Sequence, residues 1–402
     1  MSGIQFLLSI DSKIIKYGLD RTIQLLKICG NPHLSVRSIQ VVGTNGKGST
    51  SAMMAHTLIN NGYNIGLYTS PHLVIINERI RINNRTISNQ FIDSFIQKYK
   101  NDLLEIEPSF FEIMTVMALS YFVKNKVDFA ILETGLGGRL DSVTAALSDT
   151  IVFTPIDLDH LLILGKTLSG IATEKSGAIS DNNSFIFSSI QQPIVKKILN
   201  NTAKKYNKKI IYNKHQLEIL NLRGAHQIQN ANLAKFVLDN LTIPYQLEIS
   251  NIIQNLQTTS WPGRIQFLQN QPDIIFDVAH NSHSIKAFIQ YFSTIQNQYQ
   301  SKHLIIGFES GKEIKSNLKA LYQLFDSIII TETKIRHSMH ADYILKLYKP
   351  DCKSSISIEL NPIKAIKQTI HKMDKRDVSV ILGSHYFGPY IDQIFKNSFD
   401  IQ

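Results

Sequence analysis

Cysteine is nearly absent from this 402-residue chain: Cys29 and Cys352 stand far apart, with no partner at metal or redox spacing. That argues against a disulfide scaffold and a zinc site, and leaves free thiols suited to a reducing compartment. No run of 18 apolar residues occurs, and the opening stretch MSGIQFLLSIDSK lacks a basic start and is broken by Gln5 and Ser9. A soluble, cytoplasmic protein with no membrane partner is expected. Acidic residues are the scarcer charge, with 32 Asp plus Glu against 42 Lys plus Arg and a formal net charge of +10. Such a balance suits nucleic acid, an acidic surface or small polyanionic substrates. Lysine clusters such as AKKYNKK (203–209) lack a regular aromatic interleave, so a solvated basic surface is expected and nucleic acid is not.

Proline and glycine punctuate two series of short apolar runs. IGLYTS, VDFAILETG, TIVFTPI and SFIFSS alternate with helix-length segments, as do DIIFDVAHN, HLIIGF, SIIITET, KSSISIEL and VSVILGS further on. This is the signature of mostly parallel α/β sheets covered on both faces, and the length suits two domains. TTSWPGRIQ (258–266) lies between the series and reads as a turn, which divides the chain into residues 1–261 and 262–402.

The stretch VVGTNGKGST (41–50) fits the G-x-x-x-x-G-K-[ST] pattern in neither frame: Val41 stands where glycine belongs, and Gly48 where a hydroxyl belongs. Its setting is nevertheless that of a phosphate loop. The strand-like SIQVV precedes it, and Ala52, Met53, Ala55, His56 and Leu58 follow at helical spacing. Backbone N–H groups and a helix N-terminus would converge on one anion, with Lys47 as a point charge and Ser49 or Thr50 as a hydroxyl for Mg²⁺.

Other candidates stand at strand ends. Glu133 closes a continuous apolar run, where it reads as a Mg²⁺ ligand or as a cap on the following glycine-rich turn. Asp157, Asp159 and His160 follow the next run, His160 as a core residue or as a contact to metal or phosphate. In TLSGIATEKSGAI, Leu168, Ile171, Ala172 and Lys175 share one helix face, which turns Lys175 inward. A buried lysine either snorkels or changes chemically, and a carbamate is one such change, because desolvation favours the neutral amine that takes up CO₂.

Seven motifs in order, GTNGKGST (43–50), YTSPHLVIINERIRIN (68–83), LETGLGGRLDSV (132–143), DLDHLLILGKTLSGIATEKSGAI (157–179), RGAHQIQNANLA (223–234), PGR (262–264) and DVAHN (277–281), resemble the folylpolyglutamate synthase and dihydrofolate synthase family, relatives of the Mur ligases. The resemblance implies a P-loop, Mur-ligase-like ATPase domain with a mostly parallel sheet, followed by a smaller Rossmann-like α/β domain. It implies that Gly43, Thr44, Asn45, Gly46, Lys47, Gly48, Ser49 and Thr50 cradle ATP. One Mg²⁺ would rest on Ser49 and Glu133, and a second on His160 and carbamylated Lys175. Asn230 would meet adenine, Arg264 at the hinge and Asp277 would close over the nucleotide, and His280 would face the reacting centre. Thr69, Ser70, Pro71, His72, Asn77, Glu78 and Arg79 would belong to a mobile loop contacting a pterin.

The chain departs from the family pattern at Val278 and Ser282, where glycine and proline are usual, in GFESGKE (307–313) and in GSHYFGPY (383–390). The implied activity is ATP- and Mg²⁺-dependent joining of L-glutamate to dihydropteroate or a reduced folate by a monomeric enzyme. A Mur-type ligase of a cell-wall precursor and a nucleic-acid-stimulated ATPase are the rival readings.

Overall fold

Strands buried on both faces need a covering layer on each side, and the βαβ connections supply it twice. The computed structural model describes residues 1–11, 18–214, 222–335, 337–347 and 355–401; Cys352 lies outside them. The first sheet comprises β1 (Ser38–Val42), β2 (Ile65–Tyr68), β3 (Ile80–Ile82), β4 (Arg85–Thr86), β5 (Phe129–Glu133), β6 (Thr150–Phe153), β7 (Phe185–Ser188) and β8 (Ile211–Tyr212). Their order is β4-β3-β2-β5-β1-β6-β7-β8, antiparallel only at the β3 and β4 edge. β1 is buried at every residue and lies between β5 and β6, with Val41 opposite Glu133 and Val42 opposite Phe153. The carboxyl end of β1 is therefore where the connections diverge, the place where open α/β sheets bind ligands.

One face of this sheet is covered by the helix Phe110–Lys124, apolar on nearly every side, with Ile113, Met114, Met117, Leu119 and Phe122 buried. Its start is fixed by a capping box: Ser109 Oγ accepts from Glu112 N and Glu112 Oε2 accepts from Ser109 N. Ile171, Ala172, Val195 and Leu199 pack on a second cluster against β6 and β7 residues.

The second sheet comprises β9 (Gln266–Gln269), β10 (Asp273–Asp277), β11 (Lys302–Ile306), β12 (Ser327–Ile330), β13 (Ser355–Ile358) and β14 (Val378–Leu382), in the order β13-β12-β11-β14-β10-β9. Only β9 runs antiparallel. The described residues form two compact units, one of residues up to 221 with 227–259, the other of Leu222–His226 with 260–402. Each apolar run read as a strand forms one. β3, β4, β8 and β9 were not anticipated, since two to four residues are too few to show a period. No helix among the described residues is long and apolar enough to cross a membrane.

Gly66 in β2 marks a tight approach, where a β-carbon would lie 2.6 Å from Phe122 Cδ1. Gly66→Ala is expected to destabilise the fold by about 1–3 kcal/mol, read from the urea midpoint. Combined with Phe122→Leu it should cost less than the sum of the single changes; strict additivity would show that the two sites do not press on each other.

Candidate active site

The loop after β1 is pinned from both neighbouring strands. Thr134 N donates to Val41 O at 3.0 Å and Thr154 N to Val42 O at 2.8 Å, extending the sheet to the loop's base. Thr44 straps it further: its N donates to Pro155 O (3.0 Å), its Oγ1 donates to Asp157 O (2.9 Å) and accepts from Asp157 N (3.0 Å). A β-carbon on Gly43 would lie 1.9 Å from Thr154 Oγ1, and one on Gly46, whose φ is 84°, would lie 2.2 Å from Asn230 Oδ1. Only glycine fits either place.

Gly46 caps the helix Lys47–Asn60 without a side-chain acceptor. The first-turn N–H groups thus form an anion site at the positive end of the helix dipole. Lys47 Nζ donates to Thr44 O at 3.2 Å, so the cation stays over the loop. Ser49 is buried, and the buried hydroxyls of Thr50 and Ser51 have no hydrogen-bond partner among the described residues. A glycine cradle with a cation and unsatisfied hydroxyls fits a nucleotide phosphate and its divalent ion.

Glu133, buried at the end of β5, accepts from Ser70 N through Oε2 at 3.0 Å. The 69–79 segment is thereby tied to the phosphate loop's neighbour. Within it the Glu78 carboxylate accepts from Leu73 N, Val74 N and Ile75 N at 2.8, 2.8 and 2.7 Å. Asn77 Nδ2 donates to Ile87 O and Asn89 Oδ1, both at 2.7 Å. Arg79 is buried with Nε donating to His72 Nδ1 at 2.9 Å and its guanidinium 5.1 Å from the centroid of the Phe110 ring. Asn77 and Glu78 use these polar atoms to shape the segment, while Ser70, Pro71 and His72 stay partly or fully exposed and Thr69 is buried.

Lys175 lies inward, as its helical spacing indicates, and Nζ donates to Gly43 O at 2.6 Å. Burial, then the nearby Lys47 charge, lowers its pKa to about 7 against the pull of Asp159 and Asp141. As a hydrogen-bond donor it is not a metal ligand in this form. Asp141 accepts from Leu136 N (2.7 Å) and Val143 N (3.0 Å), so this carboxylate, rather than Glu133, caps the glycine-rich turn. Burial pushes the Asp141 pKa up to about 6, against those bonds and the charges of Lys47 and Lys175. His160 sits at φ 49°, its side chain 40% exposed, with Nε2 3.9 Å from Asp159 Oδ2. The structure thus brings Lys47, Lys175, Asp141 and Asp159 into one electrostatic group, with His160 outside Asp159. Sequence reasoning gave no role to Asp141 or Thr154; Asp141's position just after a Gly-Gly turn was the available signal.

In the second unit the buried Asp277 carboxylate accepts from Ile265 N and Ala279 N, each at 2.8 Å. Its pKa is raised by burial and held back by Arg264. Arg264 Nη1 donates to Gly263 O (3.1 Å), and His280 Nδ1 lies 2.8 Å from Val278 O.

Residues 263–385 match the family model described as Mur ligase, glutamate ligase domain. Over 370 residues the chain is 31% identical to the dihydrofolate synthase/folylpolyglutamate synthase of Buchnera aphidicola subsp. Baizongia pistaciae, covering 86% of this chain and 83% of that relative. The chain belongs to the dihydrofolate synthase/folylpolyglutamate synthase family. Members of this family are ATP-dependent ligases, and this chain is one, acting in folate metabolism by glutamate ligation. The solved bifunctional folylpolyglutamate synthase/dihydrofolate synthase of Yersinia pestis, complexed with AMPPNP and a Mn ion, superposes with a TM-score of 0.84 at 26% identity, covering 97% of this chain and 96% of that one. The Mycobacterium tuberculosis folylpolyglutamate synthase complexed with ADP shares the fold at a TM-score of 0.88 and 24% identity, covering 99% and 98%. In this family member no group of three or more His, Cys, Asp or Glu side chains converges as a metal cage among the described residues.

Gly43→Ala should weaken binding of a fluorescent ADP analogue at least about tenfold, since the loop must move off Thr154. Thr154→Gly in the same chain should restore part of it. Unchanged binding by Gly43→Ala alone would mean that the close approach does not set the loop's shape.

Proposed function

We propose that this ligase joins L-glutamate to the carboxylate of dihydropteroate and of reduced folates through an acyl phosphate. A carboxylate resists amide formation because oxide would have to leave. When its oxygen attacks the γ-phosphorus of ATP, ADP departs; when the glutamate amine then attacks the acyl carbon, phosphate departs instead. The reading is carried by the Ser70 N–Glu133 Oε2 hydrogen bond, which ties the substrate segment to the strand end beside the phosphate loop. An acceptor carboxylate held by Thr69, Ser70, Pro71, His72 and Arg79 would lie near a γ-phosphate held by the loop, with Asn77 and Glu78 keeping the segment's shape.

In this reading the loop amides and Lys47 hold the phosphates, Asn230 meets adenine, and Arg264 and Asp277 are further nucleotide contacts. The AMPPNP and manganese of the Yersinia relative support ATP with a divalent metal here. Ser49 and Glu133 would hold one Mg²⁺, and His160 with carbamylated Lys175 a second; bound Mg²⁺ supplies neutralisation of developing phosphate charge. His280 is assigned the proton that the glutamate ammonium must lose. With carboxylate-labelled ¹⁸O acceptor, ATP and L-glutamate, one label per amide should appear in phosphate. Unlabelled phosphate with full amide formation would overturn the acyl-phosphate route, and label in AMP would indicate an adenylate. Running dihydropteroate beside tetrahydrofolate identifies the acceptor.

Lys175 supports the carbamate reading through its burial and its pKa of about 7. The neutral amine adds CO₂ to give a carbamate anion and one proton, and it is the dominant form as pH rises through that value. Stripping CO₂ and bicarbonate should lower activity, with recovery on their return, and Lys175→Ala should be inactive. Full activity in CO₂-free buffer, with an unmodified mass for the Lys175 peptide in native spectra, would exclude the carbamate.

A further inference from the structure

Two histidines occupy matching places in the second sheet. β10 and β14 are adjacent and parallel with Asp277 opposite Leu382, and His280 and His385 each come three residues after that pair. Gly383 N reaches back to Asp277 O at 3.4 Å, which keeps the two exits together. The imidazole rings meet with centroids 5.5 Å apart at 55°. His385 is buried at 6% exposure, whereas His280 is only partly covered.

Each histidine sits on a turn with its own internal restraints. His280 Nδ1 lies 2.8 Å from Val278 O, and since a carbonyl can only accept, Nδ1 carries the hydrogen and Nε2 the lone pair in the neutral ring. The backbone N of His280 donates to Ser284 Oγ at 3.1 Å. On the other side Ser384 Oγ accepts from Tyr386 N at 3.1 Å. Gly383, at φ 122°, would place a β-carbon 2.4 Å from Gly307 O, so the turn carrying His385 has no room to shift that way. Within the same unit the Arg264 charge acts on Asp277, and His226 feels the charges of Arg264 and His283.

We infer that His385 is a positioning residue for His280: its buried ring buttresses the His280 imidazole and preserves the Nδ1–H···O=C bond to Val278. The consequence is that Nε2 of His280 is the nitrogen presented for the glutamate ammonium proton. That proton passes to Nε2, giving imidazolium and the free amine whose lone pair attacks the acyl carbon. The inference rests on the role proposed above for His280. A ring is needed at 385 for packing, and no proton transfer is assigned to it.

The test uses the full chain with saturating ATP, acceptor and glutamate, and three variants: His280→Ala, His385→Ala and His385→Phe. His385→Ala should lower kcat about ten- to hundredfold with the KM for ATP unchanged, as misplacement of a reacting group does. His385→Phe should recover most of that loss. The ¹⁵N imidazole resonances should show His280 as a single Nδ1–H tautomer in the native chain and in His385→Phe, and as a tautomer mixture in His385→Ala. Loss of activity in His280→Ala beside native kcat and an unchanged tautomer in His385→Ala overturns the inference. Activity surviving His280→Ala overturns the role of His280 itself. If His385→Ala fails to fold, His385→Phe and His385→Gln decide the matter: ring-retaining activity with loss in His385→Gln supports buttressing, and equal activity in both removes it.

Discussion

The carbonyl of Gly43 accepts from the buried amine of Lys175 at 2.6 Å, and the Cα of the same residue lies against Thr154, where no β-carbon fits. One residue thereby joins the end of β1, the exit of β6 and the helix Leu168–Ser176. A buried lysine is costly unless its hydrogen-bonding capacity is used, and a loop carbonyl facing the protein interior is costly for the same reason. Each removes the other's penalty. The outcome is a loop with the Gly43 carbonyl held inward and the start of the helix Lys47–Asn60 set at its far end.

Charge in the first unit follows from that arrangement. Burial first, and then repulsion from Lys47, lowers the proton affinity of Lys175, while Asp159 and Asp141 draw it back up. Asp141 spends its carboxylate on the glycine-rich turn after β5, so the turn's shape and the field around the two lysines depend on the same side chain. Gln40, in the middle of β1, donates to Thr134 Oγ1 at 3.1 Å and Thr144 Oγ1 at 2.9 Å and anchors that turn from below. A polyanionic substrate entering here meets the Lys47 cation already held over the loop by Thr44 O, so part of the electrostatic cost of placing it is met by folding.

The second unit absorbs its departures from the family pattern locally. Val278 is buried, its N donating to Gly263 O at 3.0 Å and its carbonyl receiving His280. Ser282 starts the helix Ser282–Ile295, and its carbonyl and hydroxyl accept from Asn317 Nδ2 at 2.9 and 2.7 Å. A hydroxyl in the place where proline is usual therefore ties this helix to Lys315–Tyr322, a contact that proline could not make with a side chain.

Periodicity and turn chemistry were legible in the sequence because they are local. Runs such as FAILE and TIVF are apolar throughout only if both faces are covered, and Lys175 at i+7 from Leu168 must share its apolar face. The loop's glycines, Lys47 and the strand-end position of Glu133 could be named from spacing alone. What spacing could not give is contact between residues far apart in the chain: Ser70 on Glu133, Asn230 on Gly46, His385 on His280. It also could not say which carboxylate caps the glycine-rich turn, since Glu133 and Asp141 flank it on either side and only the fold turns Asp141 toward Leu136 N. Local sequence specifies the elements and the chemistry available at each strand end. Which of those groups share a field is set by the folded arrangement, because hydrogen bonds and Coulomb interactions depend on distance through space and a chain of this length can bring its strand ends together in many orders.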